Sequence, residues 1–107
     1  MIKKIVVFFA IGFSLNNSWA QVIPVVALNT PYAQVRSALI QEGWQPVNQK
    51  QHDFDAMATI HKNKGWTEVA SCAGSGVAPC LFIWRNRQGK LLEVVTVGEN
   101  PRFNGFR

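Results

Sequence analysis

The hydrophobic positions of the chain follow two different periods, and the change between them predicts where helices give way to strands. The first apolar stretch with a period of three or four residues, typical of one helix face, contains Tyr32, Val35, Ala38 and Leu39. Gly43 can take the left-handed conformation that ends many helices, and Trp44 can then pack back on Leu39. The pattern predicts a helix over residues 31–42.

A second stretch of helical spacing lies between residues 53 and 64. Asp53 and Asp55 lie at its candidate start, where negative charge complements the helix dipole. Gly65 and Trp66 repeat the glycine-tryptophan signal that ends the first helix. The pentapeptide Gly-Trp-x-x-Val occurs twice, at residues 43–47 and 65–69. Because one shared pentapeptide is too little to define a repeat, we interpret the two signals as independent helix ends.

After the second glycine-tryptophan pair, the apolar residues favour strands. Residues 66–72 and 80–86 are predicted strands, separated by a glycine-containing loop at 73–79. Residues 91–97 return after a short connection and pair with 80–86 as a hairpin. Neither arm of this hairpin has a purely polar face, so we expect it to be central, with the helices covering one side.

The two ends of the mature chain carry weaker signals. Residues 21–28 are apolar but interrupted by Pro24, which predicts an extended lead-in or an edge strand. Residues 99–107 contain asparagine, proline and glycine and predict an irregular tail, held by Phe103 or Phe106. The whole pattern predicts an α+β fold, with one or two helices on a small antiparallel sheet of three to four strands.

The first 20 residues have the pattern of a signal peptide. Two lysines precede an apolar core at residues 5–15, and small residues then predict cleavage between Ala20 and Gln21. The core is too short to span a bilayer as a helix, and we expect the mature chain not to span the membrane. We therefore expect residues 21–107 to be a single small domain, located in the periplasm or secreted.

Cys72 and Cys80 are the only cysteines of the chain. In the oxidising compartment that a signal peptide implies, this pair predicts a disulfide. The spacing is not Cys-x-x-Cys, and no basic residue between the two sulfurs would depress a thiol pKa, which disfavours a redox-active pair. The histidines His52 and His61 lie in no recognised zinc spacing, so we expect no metal site and no cofactor.

Two motifs connect the chain to a known group of proteins. They are Tyr32-x3-Arg36-x2-Leu39-x3-Gly43-Trp44-x-Pro46 and, before the hairpin, Cys72-x-Gly74-x-Gly76-x3-Cys80. With these motifs, residues 30–99 resemble small uncharacterised exported proteins of proteobacteria. The resemblance implies one or two helices, a stapled loop and a closing hairpin, and it implies no activity. The layout is also similar to periplasmic modules related to β-lactamase inhibitor protein and outer-membrane assembly lipoproteins, which does not fix function.

Charge narrows the classes of partner. The formal net charge is +5, and without Lys3 and Lys4 nine basic residues remain against six acidic ones. A mildly basic exported protein favours an acidic protein or an anionic envelope component as partner, whereas nucleic acid is not expected in the periplasm. The candidate binding surface combines the disulfide loop with the basic hairpin, at Gly74, Ser75, Gly76, Arg85, Arg87 and Lys90.

The sequence contains no complete catalytic constellation. Ser75 lies between glycines but lacks the Gly-x-Ser-x-Gly order of hydrolase nucleophiles. We interpret the chain as a non-enzymatic binding or interaction protein. Two alternatives stay open: an inhibitor of an envelope or secreted hydrolase, and a small hydrolase that uses His52 or His61 with Asp53 or Asp55.

Overall fold

The computed structural model describes residues 21–50 and 55–107, in which two helices pack on one face of an antiparallel sheet. In chain order the elements are α1 (Tyr32–Gln41), β1 (Gln45–Pro46), α2 (Ala56–Asn63), β2 (Val69–Cys72), β3 (Cys80–Arg85), β4 (Leu91–Val97) and β5 (Arg102–Phe106). The strand order is β1-β3-β4-β5, and β2 also pairs with β3. The α+β class is confirmed, and the sheet reaches five strands because the short β1 and the C-terminal β5 join it.

Both helices end at the glycine-tryptophan pairs that the sequence singles out. The backbone amide of Trp44 donates to the carbonyl of Leu39 at 3.0 Å, and that of Trp66 donates to the carbonyl of His61 at 3.1 Å. The glycine before each tryptophan has a positive φ, 91° at Gly43 and 101° at Gly65. Residues with a Cβ atom rarely adopt this conformation. These Schellman-type ends confirm the two predicted helix stops and turn both tryptophans back towards the core.

The start of α2 is fixed by Asp55. Its Oδ1 accepts a hydrogen bond from the Ala58 amide at 3.0 Å, which caps the helix. Its Oδ2 accepts from the Cys72 amide at 2.8 Å, so the same carboxylate also fastens α2 to β2. Asp53, the other acidic residue of the predicted helix start, lies outside the described residues.

The β3–β4 hairpin lies at the centre of the sheet, as predicted. Its register pairs Phe82 with Val94 and Trp84 with Leu92, and all four side chains are buried. Tyr32 of α1 stacks on Phe82 with ring centroids 3.8 Å apart, so the helices cover the face that carries these side chains. The remaining buried apolar residues of the core are Val35, Leu39, Trp44, Ala58, Val69, Cys80 and Phe103.

The C-terminal residues 99–107 are not the irregular tail that the sequence predicts. Arg102–Phe106 forms β5 and pairs with β4. Phe103 is buried, and its backbone exchanges hydrogen bonds of 2.9 and 2.8 Å with Asn29 and Thr30. The strand forms because these residues, distant in sequence, satisfy its outer edge. Residues 21–27 form neither helix nor strand, and a turn begins at Leu28, so the edge-strand alternative is not realised.

The predicted signal peptide and its cleavage site before Gln21 involve residues 1–20, which lie outside the described residues and stay predictions. Neither α1 nor α2, the helices of the described part of the chain, is long and apolar enough to cross a membrane.

A buried polar network joins α1 to the sheet through Glu68. This side chain is 0% exposed, and its Oε2 accepts hydrogen bonds from the Tyr32 hydroxyl at 2.7 Å and from Arg36 Nε at 2.8 Å. Trp84 Nε1 in turn donates to the Tyr32 hydroxyl oxygen at 3.1 Å. Burial beside the carboxylate raises the pKa of Tyr32, so the hydroxyl stays a proton donor.

Removing the Tyr32 hydroxyl therefore affects two buried partners at once. We expect Tyr32→Phe to lower the free energy of unfolding by about 1–3 kcal/mol, because Glu68 and Trp84 each lose a hydrogen bond without access to water. Chemical denaturation followed by tryptophan fluorescence measures this change. Ser37→Ala is the matched control, since it deletes an exposed hydroxyl from the same helix. Equal stability of the two variants would contradict the network's role.

Candidate functional site

The two halves of the predicted binding surface lie at opposite ends of β3. The loop residues Gly74, Ser75 and Gly76 precede this strand, whereas the hairpin residues Arg85, Arg87 and Lys90 end or follow it. A strand of six residues separates its ends by about 17 Å at a rise near 3.3 Å per residue. The structure therefore does not bring the six residues together.

At the loop end, Cys72 and Cys80 form the predicted disulfide. The two residues are directly opposite partners on β2 and β3, with Cα atoms 4.0 Å apart. Closing a loop of about nine residues stabilises the fold by about 2.5 kcal/mol in the chain-entropy model. The loop between them bonds to the end of β4, where the Gly98 amide donates to the Val77 carbonyl at 2.8 Å. Gly74, Ser75 and Gly76 themselves are exposed.

At the hairpin end, a cleft of about 330 Å³ lies between residues 21–23 and the hairpin. This volume is at the lower end of the range for ligand sites. Trp44 and Leu92, each 5% exposed, form its floor. The other lining residues combine apolar walls with polar and basic groups, and they are Gln21, Ile23, Asn86, Lys90, Leu91 and Arg107.

The N-terminal wall of the cleft is held in place by side-chain hydrogen bonds. Gln21 accepts from the backbone amide of Arg87 through Oε1 at 2.7 Å and donates from Nε2 to the carbonyl of Glu42 at 3.2 Å. Trp44 Nε1 donates to the carbonyl of Val22 at 3.0 Å. These bonds tie the segment both to the hairpin and to the end of α1, so the cleft is formed before any partner binds.

The opposite wall is ordered by Asn86 at the hairpin turn. Its Oδ1 accepts hydrogen bonds from the amides of Gln88 at 3.0 Å and Lys90 at 2.8 Å. The backbone N–H of Asn86 donates to the Lys90 carbonyl at 2.9 Å, and this bond closes the turn. Gly89 supplies the positive φ of 85° that the turn requires. Asn86 therefore fixes the backbone from which Lys90 extends.

Basic side chains dominate this end of the sheet. Arg85, Arg87 and Lys90 belong to the hairpin, and Arg107, which follows β5, lines the cleft together with Lys90. Arg107 Nε pairs with Glu93 at 3.0 Å, but the Arg107 side chain is 64% exposed and that of Glu93 35%, so solvent screens this salt bridge and it contributes little stability. The surplus positive charge favours the approach of an anionic group.

Asp55 and His61, the two described residues of the hydrolase alternative, are not hydrogen-bonded to each other. Both carboxylate oxygens of Asp55 accept backbone hydrogen bonds, and His61 is 0% exposed with neither ring nitrogen bonded to any described residue. Burial lowers the pKa of His61, and the charge of Lys64 lowers it further. The other two residues of that alternative, His52 and Asp53, lie outside the described residues.

Sequence reasoning does not place three of the cleft's lining residues together. The pattern indicates Trp44 only as part of a helix end, and it places Arg107 in a tail expected to be irregular. Gln21 is singled out only as the residue after the predicted cleavage. These three residues are far apart in the chain, so no local sequence pattern indicates that they line one cleft.

No protein-family model, curated protein or solved structure matches this chain. The resemblance to small exported proteins of proteobacteria therefore stays a prediction.

The burial of His61 predicts a dependence of stability on pH. Its pKa is lowered on folding from the ordinary value near 6.5, so below that pH the unfolded chain binds the proton more readily. We expect the free energy of unfolding to fall as the pH drops below about 6.5. The difference between wild type and His61→Leu should change across this range, and denaturation at a series of pH values measures it. A constant difference would contradict the lowered pKa.

Proposed function

We propose that this chain is a non-enzymatic binding protein whose site is the cleft between residues 21–23 and the hairpin. The observation that carries the proposal is an apolar floor, Trp44 and Leu92, beside the basic side chains of Lys90 and Arg107. The protein acts in the periplasm or outside the cell, after removal of the signal peptide.

The chemistry of the cleft defines the class of partner. A free inorganic anion would use the basic groups and leave the apolar floor without a contact. A segment of an acidic protein, in which an apolar side chain adjoins a carboxylate, satisfies both parts of the site. An anionic envelope component with an apolar group offers the same combination. Tryptophan and arginine are enriched among the residues that contribute most to binding at protein interfaces.

Preorganisation supports binding at this end of the molecule. The bonds of Gln21 and Asn86 fix both walls, so binding needs little ordering of the chain. Leu91, on the hairpin wall, is 57% exposed in the absence of a partner and gains burial when one is bound. The inhibitor alternative uses the same cleft and differs only in its partner, which would be an acidic hydrolase.

Capture of partners from an envelope extract tests the proposal. We expect the mature chain to retain a partner, and Lys90→Glu and Leu91→Ser each to weaken its affinity about tenfold or more. Lys90→Glu replaces an attractive charge by a repulsive one, and Leu91→Ser removes apolar contact area. Both residues are exposed, so neither change should disturb the fold.

Two variants serve as matched controls. Lys50→Glu makes the same charge change at an exposed position after β1, and Ile60→Ser removes an apolar side chain that is 50% exposed on α2. Both should bind as the wild type does. Equal loss in the Lys50→Glu variant would show that only net charge matters, and it would contradict a site at the hairpin.

A further inference from the structure

Three side chains that can bind a metal converge at the other end of β3. His61 comes from α2, Cys72 from β2 and Cys80 from β3. One ring nitrogen of His61 and the two sulfurs all lie within 4.8 Å of one another. The sequence spacing gives no sign of this cluster, because the helix and the two strands bring the residues together only in the folded chain.

No hydrogen bond to the described part of the chain explains why the polar side chain of His61 is buried. It is 0% exposed, and both ring nitrogens are without a hydrogen bond from the described part of the chain. Its ring packs between aromatic residues, with centroids 5.5 Å from Trp66 and 6.0 Å from Phe82. Buried polar groups nearly always have partners, and an apolar side chain would fill this position at lower cost. The imidazole therefore carries an unused lone pair beside the sulfurs.

The scaffold holds the three elements in a fixed arrangement. Asp55 caps α2 and accepts the Cys72 amide, so the helix that carries His61 is fastened to the strand that carries Cys72. Cys80 is 3% exposed, whereas Cys72 is only partly buried. The cluster can thus be reached from the Cys72 side, while its remaining surroundings are packed.

We propose that reduction of the disulfide converts this cluster into a Zn²⁺ site with Cys72, Cys80 and His61 as ligands. A dithiol reductant supplies two electrons and two protons, which cleave the Cys72–Cys80 bond to two thiols and leave the reductant as a disulfide. Zn²⁺ then displaces both thiol protons to solvent, and neutral His61 donates its lone pair. Three protein ligands leave a fourth tetrahedral position for water on the Cys72 side.

Charge and distance both favour zinc. Two thiolates and one Zn²⁺ sum to zero, which a buried site tolerates better than a net charge. Thiolate and imidazole are ligands that zinc accepts together. Ligand atoms of a tetrahedral zinc site lie about 3.5–3.8 Å apart. After the disulfide is cleaved, the two sulfurs must move apart to this spacing, and the His61 nitrogen must approach them by at most about 1 Å.

Titration with Co²⁺, a spectroscopic substitute for Zn²⁺, tests the site. The mature chain is reduced with a phosphine, freed of reductant without oxygen, and titrated. We expect one Co²⁺ per chain, with thiolate charge-transfer and tetrahedral ligand-field bands, and displacement by Zn²⁺. The disulfide form should show none of these bands. If reduction loosens the fold, added Zn²⁺ should restore the near-ultraviolet circular dichroism.

Variants identify the ligands. His61→Leu keeps the core filled, and its disulfide form provides a check of folding; once reduced, it should bind at least about tenfold more weakly, with altered bands. His52→Ala, which removes the only other histidine, should bind as the wild type does. The proposal is overturned if the reduced chain binds no metal, if His61→Leu binds equally well, or if a loosened reduced chain does not refold with Zn²⁺.

Discussion

The buried carboxylate of Glu68 is the constraint around which the two layers of the molecule are arranged. A charge without access to water is tolerated only when it is paired and hydrogen-bonded, since removing one partner of such a pair costs about 3–5 kcal/mol. Tyr32 and Arg36, four residues apart on α1, both reach this carboxylate, and Arg36 remains 24% exposed. These two contacts fix the position of α1 over the sheet.

That position determines what the rest of the surface can do. Because α1 and α2 lie over the face that carries Phe82 and Trp84, the middle of that face is buried. The chemistry that remains lies at the two ends of β3. One end has an apolar cleft with basic neighbours and walls fixed by Gln21 and Asn86. The other has a disulfide with a buried histidine beside it. The two ends are about a strand length apart and need not serve the same purpose.

Local signals make much of the fold predictable. The glycine-tryptophan helix ends, the hairpin and the disulfide depend on residues close together in the chain, and all are confirmed. The strand β5 could not be predicted, because the hydrogen bonds on its outer edge join Phe103 to Asn29 and Thr30, more than seventy residues earlier. Glu68 likewise has the sequence context of an ordinary surface residue, since its burial depends on partners in α1.

The candidate site is only half predictable for the same reason. The basic hairpin is contiguous in sequence and can be identified there. The prediction that it shares one surface with the loop at residues 74–76 does not take into account that the strand β3 separates the two. Trp44 and Arg107 reach the cleft only through tertiary packing. A site formed by the start, middle and end of a chain leaves little trace in any one segment.

The location of the binding surface is tested most directly by hydrogen-deuterium exchange of the chain, alone and bound to the partner captured from envelope extract. We expect slower exchange on binding at residues 21–23 and 86–92, with the disulfide loop at 73–79 unchanged. Protection confined to that loop, or to no segment at the hairpin end, would contradict the cleft as the site of recognition.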